Sequence, residues 1–159
     1  YSSAASDVYM RQKLGDKDWA KKIYGEMEKE AESSYKFIKL AEYIADAGNK
    51  EWAKKVYKKA EEKIFISFHL TDKDFSEINF LADSICENLE DKEWGRKIYK
   101  EAEDVTKHIS HFLILAESLS QKLDDKEWAK IIYQEILDLS KDSFDFHYLA
   151  DSFCSNLDD

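Results

Sequence analysis

Apolar residues recur along the chain at two spacings, and both are helical. One set stands at i, i+1, i+4, i+5 and i+8. It reads Trp19, Ala20, Ile23, Tyr24, Met27 and then Trp52, Ala53, Val56, Tyr57, Ala60. It returns as Trp94, Gly95, Ile98, Tyr99, Ala102 and as Trp128, Ala129, Ile132, Tyr133, Ile136. The other set stands at i, i+3, i+4 and i+7: Phe37, Leu40, Ala41, Ile44, then Ile78, Leu81, Ala82, Ile85. Its later copies are Phe112, Leu115, Ala116, Leu119 and Phe146, Leu149, Ala150, Phe153. Each set lines one face of an α-helix, and none alternates with the period of a strand. The pattern predicts eight amphipathic helices of two types, one marked by Trp and one by Leu-Ala followed by an acid.

The two types alternate at near-regular intervals. Successive Trp residues lie 33, 42 and 34 positions apart, and each Trp precedes the next Leu-Ala pair by 21, 29, 21 and 21 positions. The unit is therefore about 34 residues long, the length of a helical-hairpin repeat, and the second copy carries an insertion of eight residues. Units fall near 14–47, 48–88, 89–122 and 123–157 of a single domain spanning 1–159. Asp16, Asn49, Asp91 and Asp125 each stand three residues before a Trp, where a side-chain oxygen caps the first turn of a helix. Asp18/Lys22, Glu51/Lys55 and Glu93/Lys97 are acid-first i,i+4 pairs. The small residue after each Trp, and the Ala after each Leu, let backbones approach closely. One such hairpin cannot bury its own apolar stripe, whereas stacked hairpins can. The expected fold is all-α, a right-handed α-solenoid of about four helix-turn-helix repeats, with the four Trp in its core at even intervals.

These motifs resemble the tetratricopeptide repeat. Phe37, Leu40-Ala41 and Ile44 fall on the first-helix positions of that family, and Gly15-Asp16 matches its turn. Ala53, Tyr57, Ala60 and Gly95, Tyr99, Ala102 match its second helix. The likeness spans 14–157. The family's frequent Pro after the second helix is absent, and Trp stands where the family carries a polar residue. The resemblance implies a protein-binding scaffold that grips a peptide on a concave face lined by the first helices.

Composition narrows the rest. Zero Pro and four Gly argue against a turn-rich β fold, and 43% apolar residues suffice for a core. A net charge of −10 opposes nucleic-acid binding and favours a basic partner. No apolar run is long enough to cross a membrane, and no secretory leader is evident. Two cysteines, Cys86 and Cys154, do not make a disulfide framework, and no Asn-x-Ser/Thr sequon occurs, so the expected compartment is cytoplasmic. Cys86 and Cys154 hold equivalent places two units apart and are expected to be free, half-buried thiols. His108 and His111 lack a third ligand at metal-binding spacing, and no phosphate loop or nucleophile motif is present. No cofactor, metal or catalytic residue is expected.

Two surfaces remain as candidates. Glu42, Asp83, Glu117 and Asp151 form a column of one acid per unit. By the family geometry they lie on the inner surface near Tyr35, Ile38, Asn79, Leu113, Phe144 and His147, and would suit a Lys- or Arg-bearing peptide. The inserted segment near 64–71 contains Phe65, Phe68 and Leu70 and is apolar enough to be a partner or oligomer contact. It could equally lengthen the preceding helix by two turns, with Thr71 and Asp74 forming a capping box for the next. Leu157-Asp158-Asp159 repeats Leu123-Asp124-Asp125, so either the chain is a piece of a longer array, which could self-associate through uncapped ends, or its last helix caps the array. The expected function is a non-catalytic adaptor. The rival is an acidic inhibitor that binds a basic protein surface by charge mimicry.

Overall fold

The computed structural model describes residues 17–66, 70–139 and 150–156, and all regular structure among them is helical. The chain divides between Ile66 and Ser67 into two compact units.

The first unit contains α1 (Lys17–Glu30), α2 (Ser34–Asp46) and α3 (Lys50–Ile64). Ser33 opens α2 by accepting from the Lys36 N–H, and Asn49 opens α3 by accepting from the Trp52 N–H at 3.1 Å. Between them Gly48 takes a left-handed φ of 82°. Its N–H bonds the Ala45 carbonyl at 2.8 Å and the Asn49 N–H bonds that of Ile44 at 3.1 Å, which satisfies the carbonyls at the end of α2. α2 packs against both α1 and α3. The buried residues include the predicted stripes: Tyr24 and Met27, then Phe37, Leu40, Ala41 and Ile44, then Ala53, Val56, Tyr57 and Ala60.

The second unit opens with a 3₁₀ turn (Asp72–Asp74). There follow α4 (Phe75–Leu89), α5 (Lys92–Val105), α6 (Ile109–Ser118), a π-helical turn (Leu119–Leu123) and α7 (Lys126–Leu139). Residues 150–156 are also helical. Each helix from α4 to α7 packs on the next, and α4 also packs on α6. Asp91 and Asp125 cap α5 and α7 by accepting from the N–H groups of Trp94 and Trp128. Three of the four predicted caps are thus in place, and Asp16 lies outside the described residues.

Three features differ from the sequence reading. The Trp side chains are half-buried rather than central. The fully enclosed positions are the small residue after each Trp and the Tyr, together with Val56, Ile98 and Ile132, while Ile23 is half-buried. In the first unit the reason is visible. Trp52 meets Tyr24 edge-on at 6.1 Å, and its indole N–H reaches outward to Glu28 at 2.9 Å. A ring with a polar edge settles at the margin of a core, where its N–H finds a partner.

Secondly, the insertion does not extend α3. That helix has 15 residues against 14 in α1, α5 and α7, and the chain already turns at Phe65 and Ile66. The capping box does form: Asp74 accepts from the Thr71 N–H at 2.7 Å. Thirdly, Leu115 precedes Trp128 by 13 positions while Leu40 precedes Trp52 by 12. Leu81 also precedes Trp94 by 13, and α4 holds that spacing as an unbroken α-helix, whereas α6 ends in the π-helical turn, where the Asp125 N–H bonds the Leu119 carbonyl at 2.8 Å. Asp124 then takes the left-handed place that Gly48 holds in the first unit.

Candidate partner-binding surface

The solvent side of the Leu-Ala helices carries the predicted surface, and its residues fall into distinct environments. On α2, Tyr35 is 55% exposed, Glu42 is half-buried in an ion pair with Lys39, and Ile38 is fully buried. On α6, Leu113 is half-buried and Glu117 is exposed, with Gln121 donating to its carboxylate. Asp151 is exposed. Phe144 and His147 lie outside the described residues.

The acid column is not uniform. Asp83 on α4 is a node of internal hydrogen bonds. It accepts from the Tyr99 hydroxyl at 2.6 Å and from the Asn79 amide at 3.3 Å. The same amide donates to the Ser118 Oγ at 3.0 Å, joining α4 to α6. Asn79 itself is buried, and its carbonyl oxygen has no donor among the described residues. Burial pushes the Asp83 carboxyl above the usual carboxylate range, against the opposing pull of the Tyr99 and Ser118 hydroxyls. Burial and the neighbouring Asp83 push the Tyr99 phenol far up in turn. Ile38 and Asn79 therefore face inward, and Asp83 ties three helices together. Glu42, Glu117 and Asp151 are the members of the column within reach of a partner.

Sequence reasoning passed over two apolar side chains on the same faces. Ile114 is 46% exposed on α6, and Phe80 is half-buried on α4. Each follows by one position a residue that was singled out, Leu113 and Asn79. The signal was present as an apolar residue off the i, i+3, i+4, i+7 stripe. Glu87, exposed on α4, pairs with Lys122 at the π-helical turn.

At the insertion, Phe65 and Leu70 are half-buried and Phe68 lies outside the described residues. Ile66, which the motif search did not single out, is 77% exposed. The chain after the insertion is fastened to the start of α6. Asp72 accepts from the Lys107 N–H at 3.1 Å and meets His111 Nδ1 at 2.9 Å and His108 Nε2 at 3.4 Å. The His111 ring stacks on Phe75 at 4.4 Å. Burial would raise the Asp72 carboxyl, but His111 and the Lys107 N–H outweigh it and hold the group below its ordinary value.

Both cysteines are free; Cys86 is buried and Cys154 exposed. Burial, with Asp83 adding to it, pushes the Cys86 thiol up to about 11, so it is protonated and unreactive at neutral pH. Among the described residues no His, Cys, Asp or Glu side chains converge as a metal site. No helix among them is long and apolar enough to cross a membrane.

No family model, curated protein or solved structure matches this chain.

Proposed function

We propose that the chain is a non-catalytic protein-interaction scaffold, built as a right-handed α-solenoid of tetratricopeptide-like hairpins. A hydrogen bond from the Trp-helix Tyr to the Leu-Ala helix that follows recurs in two units and supports a repeated arrangement. The Tyr24 hydroxyl donates to the Tyr43 carbonyl, and Tyr133 donates to that of Ser152, each 19 positions on. The observation that carries the reading is the composition of the Leu-Ala helix faces. Exposed apolar side chains, Tyr35 and Ile114, stand on helices that also present Glu42 and Glu117. Aliphatic and aromatic contact area with carboxylates alongside fits an extended segment in which apolar residues alternate with Lys or Arg.

Selection from a random peptide display on the immobilised chain tests this. Enriched sequences should combine basic and apolar residues, and Ile114→Ser and Glu117→Lys should each abolish the enrichment. Selection of acidic sequences, or capture unchanged in both variants, rejects the reading. The net charge of −10 favours one other reading, charge mimicry against a basic protein surface. Capture by mimicry would fall steeply with added salt, whereas capture anchored by Ile114 would fall little.

A further inference from the structure

We propose that a cleft in the first unit is a docking pocket for a leucine-sized aliphatic side chain on a partner peptide. The cleft has a volume of about 250 Å³. Its floor is Tyr24 of α1, Ile44 of α2 and Trp52 of α3, with Ala20 and Ala47 as the small groups beside them. Lys21, Asp46 and Asn49 form the rim.

The second unit shows what closes such a space. In the repeat register Lys21 corresponds to Arg96, Ala47 to Leu123, Asn49 to Asp125 and Trp52 to Trp128. Leu123 is 4% exposed, in a π-helical turn that packs on α5. Arg96 crosses to the Asp125 carboxylate, and its guanidinium stands 5.5 Å from the centre of the Trp128 ring. An isobutyl group and a guanidinium therefore stand at the later site. The first unit has a methyl group at the place of the isobutyl group, and its helix end is one residue shorter. Ala47 is exposed where Leu123 is buried.

The space left beside Trp52 and Tyr24 has an apolar lining and more than enough room for a leucine side chain. The chain's own later repeat thus defines the occupant as a branched aliphatic side chain, with the peptide backbone lying along the polar rim. None of the helix-face residues proposed above takes part, so this pocket stands or falls without that reading.

The probe is N-acetyl-leucine-N-methylamide, with the alanine analogue as control, titrated into the whole chain to roughly 50 mM, as the weak affinity of one side chain requires. NMR follows the Trp52 indole N–H and the Ile44 and Ala47 methyl groups. Saturating shifts with the leucine probe, at least about tenfold weaker with alanine, are expected. Ala47→Leu should abolish them by filling the cleft from within. The double variant Lys21→Arg/Asn49→Asp, which rebuilds the Arg96–Asp125 closure and keeps a competent N-cap, should weaken binding even if Ala47→Leu fails to fold. Shifts that do not saturate, that match those with alanine, or that survive in the folded variants overturn the proposal.

Discussion

Gly95 lies against the sulfur of Cys86: a Cβ on residue 95 would overlap Sγ and stand 3.7 Å from the Ala82 carbonyl oxygen. The other three Trp helices carry Ala at this place. In the repeat register the residues facing it are Ala45 before Ala53, Cys86 before Gly95 and Ser120 before Ala129. The larger thiol and the missing methyl offset each other. Gly95→Ala should destabilise by about 1–3 kcal/mol through overpacking. In a Cys86→Ala background the same change should be neutral or stabilising, because the clash is gone and Ala is better in a helix by about 1 kcal/mol. Urea midpoints of the two single variants and the double variant measure the coupling. Additive costs would refute the packing account.

Asp83 sets a pH dependence of unusual sign. Its folded pKa is raised by burial, so the folded state holds the proton more tightly than the unfolded one. Its contribution to stability is fully present below the unfolded value, near 3.8, and is lost as pH rises through the folded value. Asp83→Asn removes this titration. The stability of the parent chain relative to Asp83→Asn should therefore increase as pH falls from 7 towards 4, in denaturant titrations at matched ionic strength. A flat or opposite trend would show that the carboxylate is not held in a desolvated site.

The cap at Asp125 behaves in the opposite way. Burial would raise this carboxyl, but the Trp128 N–H at 2.9 Å and the Arg96 guanidinium outweigh it and lower the pKa. Its stabilisation is present above the unfolded value and lost as pH falls through the folded one. Asp125→Ala should cost about 1–2 kcal/mol at neutral pH, as an N-cap loss does. Asp125→Asn keeps the cap and loses the ion pair with Arg96, which is largely exposed, so it should cost less. Equal losses in thermal melts of the two variants would assign the effect to the ion pair instead of the cap.

The helices were legible in the sequence because each stripe is set by a local period and each start by a residue with a free side-chain oxygen. Asn49, Asp91 and Asp125 illustrate both. The depth of each position was less legible. The period places Trp52 next to Ala53 on one stripe, but the depth of each is set by neighbours on other helices. The indole edge seeks Glu28, and only the small neighbour enters the core. The acid column failed to be uniform for a related reason. Repeat register equates Asp83 with Glu117, yet the shorter Asp side chain on α4 is met by Tyr99 and Asn79, while Glu117 extends into solvent. The extra residue after Leu115 was visible in the spacing. Its form, a π-helical turn that buries Leu123, depends on packing against α4, α5 and α7, which no local pattern encodes.

Asp72 tests whether the insertion is joined to the hairpin that follows it. Its carboxylate takes the Lys107 N–H, ahead of the first turn of α6, and pairs with His111 on that turn. His108, the residue that opens α6, offers no side-chain hydrogen bond to the helix start, so Asp72 supplies an acceptor there from outside the helix. Asp72→Ala should leave total helicity nearly unchanged and should speed amide exchange at residues 107–112 selectively, since local opening follows the loss of end contacts. Asp72→Asn should restore part of the protection by accepting from the Lys107 N–H without the charge. Because the Asp72 carboxyl is held below its ordinary value, protection in the parent chain should persist as pH falls towards 3.8 and be lost only as pH drops through the lowered folded value. Uniform acceleration along all of α6 and α7 in Asp72→Ala would mean instead that this contact supports the whole second unit.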